Sequence, residues 1–504
     1  MSFLAQLNAI APSPDDRSWF YIPYDQLTDR IGPLSRIAPD EAGIVLVECP
    51  AKAARRPYHK QKLALILANQ RHFALEQARR GVAVRYLLHD ASYADALRDV
   101  GPLTAMRPAE RELRVELEAL ENIRWVEHEG WLTTVDQFES ACEDPPWRMD
   151  SFYRRVRRDT GLLMENDKPL GGRFSFDSDN RESWSGNPPA PAPPQFLPDE
   201  VTREVGKLIE SAYADHPGRL DLEALPTTAA DARALWEWAV EHCLPLFGPY
   251  EDAMSTESRS LFHTRVSALL HLHRLLPVEL VTEVAEMDVP LASREGFIRQ
   301  ILGWREFVRH VHEATDGFRT VDANYLGVSQ PLPDAFWNGE SGLACLDTVV
   351  REVWEDGYSH HIARLMVLSN IANLLDVDPR ALTDWFWVAY TDAFDWVVEP
   401  NVLGMGTFGS GDLMTTKPYV CGATYINRMS DFCAGCAHDP KRNCPLTRMY
   451  WAYLARHEDK LSDNPRMRVI YGSLRRRSEE QRAEDAATFE RVSSTLSQGA
   501  TVQP

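Results

Sequence analysis

Three thiols within twelve residues set the first constraint on this chain: Cys433, Cys436 and Cys444 form a C-x2-C-x7-C-P pattern inside CGATYINRMSDFCAGCAHDPKRNCPLTRMYW, residues 421–451. Gly435, Asp439, Pro440 and Asn443 lie between them, and those residues interrupt helices and strands, so the segment reads as a loop wrapped around something. Zinc fits, with His438 as a fourth ligand. Three ligands of an iron–sulfur cluster also fit, because cluster loops often carry Cys-Pro. Ordinary structural cysteines are the blander reading. The spacing leaves all three open.

The remaining cysteines, 49, 142, 243, 345 and 421, are sparse. That is not a secreted disulfide framework, so we expect a reducing cytoplasm and a metal site. At 504 residues the chain has room for two or three domains. No run of about 18 apolar residues occurs, and no membrane span is expected. The first twenty residues lack the pattern of a secretory signal. A net charge of -20 argues against a protein coated in positive charge. Local basic runs occur at Arg154, Arg155, Arg157 and Arg158, at Lys441, Arg442 and Arg448, and at Arg475–Arg477. Each also reads as a solvated helix face.

Residues 17–140 alternate strand-like and helix-like patterns. Strands are expected at 18–22, 43–49 (GIVLVEC), 82–88 and 123–126, with helices at 60–80 and 111–120. Such alternation predicts a parallel sheet. No G-x-G-x-x-G or P-loop occurs. Residues 151–198 read as a connector that begins with a basic run, passes GGRFSFDSDNR and ends in SWSGNPPAPAPPQFLPDE. From about 199 onward the pattern is helical, at 229–243, 262–276, 295–314, 343–375, 379–398 and 445–457. This half is rich in tryptophan, which suits either a planar cofactor or a large aromatic core.

Four segments carry candidate chemistry. FHTRVSALLHLH, residues 262–273, sets hydroxyl, Arg and His side chains at a helix start, where the amide dipoles favour a phosphate. EGFIRQILGWREF, 295–307, follows. GYSHHIARLM, 357–366, places His360 and His361 side by side in a helix, so that at least one lines a pocket. YTDAFDWVVEPNVLGMGTFG, 390–409, carries Asp392, Asp395 and Asn401 into a Gly-rich loop that suits the edge of a heterocycle.

Together EGFIRQILGWREF, GYSHHIARLM, EPNVLGM, GGRFSFDSDNR and TKPYVCGATYINRMSDFCAGC with its following Cys-Pro resemble the iron–sulfur bacterial cryptochromes and photolyases, the branch that includes the prokaryotic (6-4) photolyases. The resemblance runs from about residue 40 to the end. It implies an α/β plus all-α photolyase/cryptochrome architecture: a parallel-sheet antenna domain over 1–145, a linker over 146–200, and a helical FAD-binding domain over 201–504 that also carries a [4Fe-4S] cluster. Cys345, 88 positions before Cys433, would be the fourth ligand beside Cys433, Cys436 and Cys444. FAD would be held by His263, Thr264, Arg265, Ser267, Arg299, Asp392 and Asn401. Ser267-Ala268-Leu269 departs from the family's usual Ser-Pro-Tyr/Ala. Trp385 and Trp337 would relay electrons from the surface.

The activity implied is light-driven DNA repair: reversal of pyrimidine (6-4) photoproducts in UV-damaged DNA, with the lesion flipped out of the duplex. Imidazole suits the proton transfer such a repair needs, so His361 is the expected donor, flanked by His360. Tyr419 and Tyr425 would line the lesion pocket, and Lys417 and Arg428 would hold flanking phosphates. A second histidine used by eukaryotic relatives is Leu365 here. Relatives in this branch often bind 6,7-dimethyl-8-ribityllumazine as an antenna. Asp25 in YDQL suits such a site, whereas Lys52 stands where a carboxylate is expected. A blue-light receptor with the same cofactors is the alternative output, and a non-enzymatic nucleic-acid-binding module a further one. The protein is expected to act as a monomer.

Overall fold

The computed structural model describes residues 1–14 and 16–504. The N-terminal part is a five-stranded sheet in the order β3-β2-β1-β4-β5. Its strands are β1 Ser18–Tyr21, β2 Ala42–Glu48, β3 Ala83–Leu88, β4 Leu103–Met106 and β5 Ile123–Val126. Every pairing is parallel, with Ser18 opposite Ala42 and Gly43 opposite Ala83. All seven residues of β2 are buried, as a strand covered on both faces by crossover helices requires. The helix Lys60–Arg79 is one of those covers. It ends at Gly81, whose φ of +97° suits a residue without a Cβ. β4 is the strand that the sequence pattern missed. Its four residues, LTAM, are too short to show alternation.

The chain from Glu200 onward is helical, and the two layers meet through buried polar bonds as well as apolar contacts. The Lys62 ammonium donates to the carbonyls of Trp387 (2.8 Å) and Ala393 (2.5 Å). The Arg274 guanidinium pairs with Glu76 at 2.7 Å. Glu306, fully buried, accepts the backbone N–H groups of Leu132 and Thr133 at 3.0 and 3.1 Å and the Thr133 hydroxyl at 2.8 Å. Among the described residues no helix is long and apolar enough to cross a membrane.

The expected connector is partly a helix. Met149–Thr160 is helical and buries Phe152, Tyr153 and Val156. Its basic run is not a free cationic patch. Arg157 is buried and donates to the carbonyls of Leu162, Leu163 and Phe174, while Arg154 and Arg155 pair with Asp150 and Asp159 one turn away. The Pro-rich stretch lacks regular structure, as expected, and is pinned by buried Trp184 and Phe196.

Two expected helices are interrupted, and the one expected over 262–276 is helical only at Ser267–His271, so His263, Thr264 and Arg265 lie in the irregular stretch before it. Ala344–Asp356 stops at Gly357, which takes φ +63° and donates its N–H to Val353 O. His360 therefore precedes the next helical segment, with His361 at its start; the pair is not mid-helix. Pro379–Ala389 likewise ends before Asp392. Four segments widen into π turns, at Ala239–Cys243, Arg299–Arg305, Ala363–Ser369 and Glu399–Gly406. Such turns cost hydrogen-bond geometry and occur frequently at functional sites.

Glu306→Ala would strand two buried N–H groups at the layer seam. We expect a loss of about 3–5 kcal/mol in unfolding free energy, read as a lower denaturant midpoint; an unchanged midpoint would show that the seam does not depend on this carboxylate.

Candidate functional site

The last three π turns and the two helix breaks converge on one cavity of about 300 Å³. His263, Thr264, Arg265, Ser267, Asp392 and Asn401 all line it, as the sequence predicted for a cofactor site. Arg299 does not. It is buried beside the cavity, between Glu251 and Asp177 at 3.3 Å each and Glu295 at 3.2 Å. Arg305, from the same EGFIRQILGWREF segment, lines it instead.

Asp392 is the anchor of the floor. Arg364 clamps both its oxygens, at 2.9 and 3.0 Å, and the Ser267 hydroxyl donates to Oδ2 at 2.6 Å. Burial alone raises a carboxyl pKa; here the Arg364 charge and hydrogen bonds outweigh it and bring Asp392 down to about 2. The opposite wall holds Arg305, over the rings of Trp131 (4.3 Å) and Trp396 (5.2 Å). Its Nε and Nη2 are buried without a protein partner, and burial lowers its pKa to about 10. A buried guanidinium with two unused donors calls for an anion. A neighbouring cavity of about 220 Å³ shares Arg265, Ser267 and Tyr358 with the first. Arg305 Nη1 pairs with Glu306 at 3.3 Å, so it is the Nε and Nη2 donors that are left over; space, aromatic walls and these spare donors fit a large planar cofactor with a phosphate bridge, which describes FAD.

At the mouth stand three imidazoles. His263 and His360 stack at 4.5 Å, and His361 meets His263 edge-on at 5.4 Å. The first two are buried, whereas 42% of the His361 side chain is exposed. Its partial burial, then the charges of Arg299 and Arg364, lower the His361 pKa, so its imidazole is neutral near pH 7. Asp252 Oδ1 lies 3.9 Å from His361 Nε2. Burial beside Glu251 and Asp177 pushes Asp252 up to about 7. Tyr425 and Tyr419 do not line the cavity. They lie outside it, with Tyr425 in the field of Asp252 and Arg181 and Tyr419 in that of Asp177 and Arg181. The connector motif GGRFSFDSDNR thus reaches the mouth: Asp177 pairs with Arg299 and Arg181, and Asn180 donates to Glu251 at 2.6 Å. Asp252 and Asp177 were not singled out by sequence. Only the pairing of Asp177 with a buried arginine makes it recognisable.

Trp337 is 42% exposed and Trp385 is buried, and they do not touch directly. Trp354 stands between them, stacked on Trp337 at 5.4 Å and edge-on to Trp385 at 5.8 Å. Trp385 then meets Phe386 (5.2 Å) and Tyr390 (6.2 Å), both in the cavity wall.

Cys345, Cys433, Cys436 and Cys444 share a small enclosed cavity of about 10 Å³ with His438 and Phe432. Among the described residues, the trio whose ligand atoms all lie within 4.8 Å of one another is His263, His360 and His361 rather than any set of these thiols. Four sulfurs each about 2.3 Å from one zinc would be closer together than that. The four thiols are thus grouped around one small cavity but are not drawn together as tightly as the ligands of a single zinc would be.

The expected antenna site behaves differently. Tyr24, Lys52, Tyr58, Lys62, Tyr93, Trp387 and Phe394 surround only about 60 Å³, whereas sites for ligands of this size run from about 300 Å³ upward. Lys52 is tied to Glu110 (3.1 Å) and Glu112 (2.9 Å), and Asp25 is buried against the Ala109 N–H. These residues do not fit a ribityl-lumazine.

A parallel α/β layer on a helical body with a cavity for a phosphate-bearing planar cofactor defines the class. Residues 20–224 match the family described as deoxyribodipyrimidine photo-lyase-related protein, and residues 297–461 match the FAD binding domain of DNA photolyase. A (6-4) photolyase of Agrobacterium fabrum is 36% identical over 484 residues, covering 91% of this chain and 95% of that protein. A bacterial class III photolyase from Agrobacterium tumefaciens shares the fold with a TM-score of 0.57 at 15% identity, covering 97% of this chain and 100% of the other. A Sulfolobus tokodaii photolyase with two FAD molecules gives 0.55 at 13% identity, covering 94% and 100%. The chain belongs to the photolyase/cryptochrome family.

Asp252 has a folded pKa raised above its ordinary value of about 3.9. Its contribution is therefore most favourable below that value and is lost as pH rises through about 7. Asp252→Asn should gain roughly 1–3 kcal/mol over the parent at pH 8 and nothing at pH 4; parallel pH–stability curves would refute the raised carboxyl.

Proposed function

We propose that this protein is a light-dependent (6-4) photolyase that acts on UV-damaged DNA, with FAD in the 300 Å³ cavity and a [4Fe-4S] cluster on Cys345, Cys433, Cys436 and Cys444. The observation that carries it is the half-exposed His361 at the mouth of that cavity, 3.9 Å from a carboxyl poised near neutrality. The (6-4) photolyase similar to this chain along nearly its whole length supports the same reading.

Bound FAD supplies the light-driven electron transfer. The chain's part is to bind, orient and move a proton. Asp392, locked by Arg364, fixes an acceptor on the floor, and Arg305 offers its free donors to the phosphate bridge. Asn401 lines the cavity with its amide nitrogen donating to Val397 O, so its carbonyl oxygen remains to accept. At the mouth, neutral His361 is not itself a ready acid. Asp252 holds the labile proton, and the pair passes it through His361 Nε2 to a flipped-out base. Tyr419 and Tyr425 flank that base. Arg428, stacked 5.6 Å over Tyr425, and Lys417 lie where flanking phosphates would pass. These local cations oppose a net charge of -20, which directs DNA to this face.

Illumination of the reduced protein with (6-4) and cyclobutane-dimer oligonucleotides tests the reading. The (6-4) lesion should be restored, and turnover of neither lesion would sink the proposal. His361→Ala should lower (6-4) repair about 10²–10⁴-fold while the flavin stays bound. The tryptophan contacts give a separate outcome: Trp354→Phe should slow light-driven reduction of the oxidised flavin as strongly as Trp385→Phe, measured by transient absorption. An unaffected rate would remove Trp354 from the path.

A further inference from the structure

We infer that residues 499–502, together with His438, form the outer wall of the four-cysteine cavity and set how long its cluster survives. This rests on the cluster reading above.

The helix Glu479–Ser497 ends in a reversal. Gly499 takes φ +69° and donates to Leu496 O, and Ala500 donates to Thr495 O. The chain that follows is exposed at every position except one: Val502 is 3% exposed. A single buried residue in an otherwise solvated strip is an anchor, and its partners show what it anchors to. The Val502 N–H donates to Ser341 O at 2.8 Å, and Val502 O accepts from His438 Nε2 at 3.3 Å.

Those two partners flank the cysteines from opposite sides. Ser341 lies four residues before Cys345, in a turn held by Asp347, which accepts the Ser341 N–H (2.7 Å), its hydroxyl (2.6 Å) and the Gly342 N–H (3.1 Å). His438 lies two residues after Cys436, donates its own N–H to Cys436 Sγ at 3.4 Å, and lines the cavity. Val502 therefore bridges the arm that carries Cys345 and the loop that carries the other three cysteines. Gly342 has no room for a side chain. It takes φ +83°, and a Cβ there would sit 2.5 Å from Val502 O. The approach of the strip to the cysteine arm is built into the backbone.

A thiolate-held cluster is lost when water, oxygen or a chelator reaches it. Short strips at the edge of a fold open more readily than the core, so this strip is the weakest wall of the site. One buried valine and two hydrogen bonds hold it shut.

The test uses the full chain, purified without oxygen. Iron and sulfide per chain are measured first, then the decay of the cluster's visible absorption in air and under a chelator. The same measurements follow for a chain ending at Gln498, for Val502→Asp, and for His438→Phe, which keeps the wall filled and removes the bond. Retained flavin and an unchanged flavin-domain melting profile check folding. The truncation and Val502→Asp should lose absorption roughly tenfold faster, and His438→Phe should show a smaller acceleration. Equal decay in the full chain and Val502→Asp overturns the inference while leaving the cluster in place. Absence of iron from the full chain overturns the cluster reading and the inference with it.

Discussion

The Arg364–Asp392 pair is the interaction on which the helical body turns. It joins the segment after the Gly357 break to the segment after Ala389, and Ser267 adds a third strand of chain. A charged pair in so buried a place is tolerated only with tight geometry and every oxygen satisfied, and both conditions hold. The pair also keeps the cavity open. Apolar residues in the same positions would collapse toward one another, whereas two fixed charges hold three chain segments at a set distance. The π turns serve the same end by pushing side chains outward at Arg305, Ser369 and Met405.

Charge then divides the cavity into working regions. The floor is neutralised, with Asp392 paired. The wall carries Arg305, paired with Glu306 through Nη1 and left with free Nε and Nη2 donors, which suit a phosphate. The mouth carries Asp252, Asp177 and Glu251 against Arg299 and Arg181, an acidic excess that keeps one carboxyl near neutrality. Proton movement is thereby confined to the mouth, where a base would meet His361, and kept away from the floor. The same connector that appeared in the sequence as a tether contributes Asp177 and Asn180 to this region, so the linker is part of the site.

The cysteine cavity and the α/β layer act on this body from outside. The helix Ala344–Asp356 carries Cys345 at its start and Trp354 near its end, so a single rigid element borders both the thiols and the tryptophan contacts. On the other side, Lys62 ties the α/β layer to the carbonyls of Trp387 and Ala393, next to the Asp392 floor. The lysine and carboxylate network that closes the small cavity there holds the layers together, and this explains why little room remains for a second chromophore.

Much of the organisation was legible in the sequence. Long apolar runs such as AGIVLVE showed buried parallel strands because burial on both faces removes alternation. Cysteine spacing marked a turn-rich loop that gathers thiols, and the structure brings Cys433, Cys436 and Cys444 together with Cys345 around one cavity. Six cavity-lining residues were found because they sit in motifs with their own local pattern. What the sequence could not show were contacts between distant segments whose members look ordinary alone. Trp354 reads as one more core tryptophan, Asp252 as a surface carboxylate, and Arg299 as a better cavity candidate than Arg305. A π turn shifts side chains by one position without altering composition, and a pKa depends on neighbours drawn from other parts of the chain. The sequence determined the layers, the thiols and the histidines, since these follow from local period and residue chemistry. Only the tertiary structure decided which charges face each other across the cavity and which single valine ties Ser341 to His438 beside the four cysteines, because both depend on through-space distance.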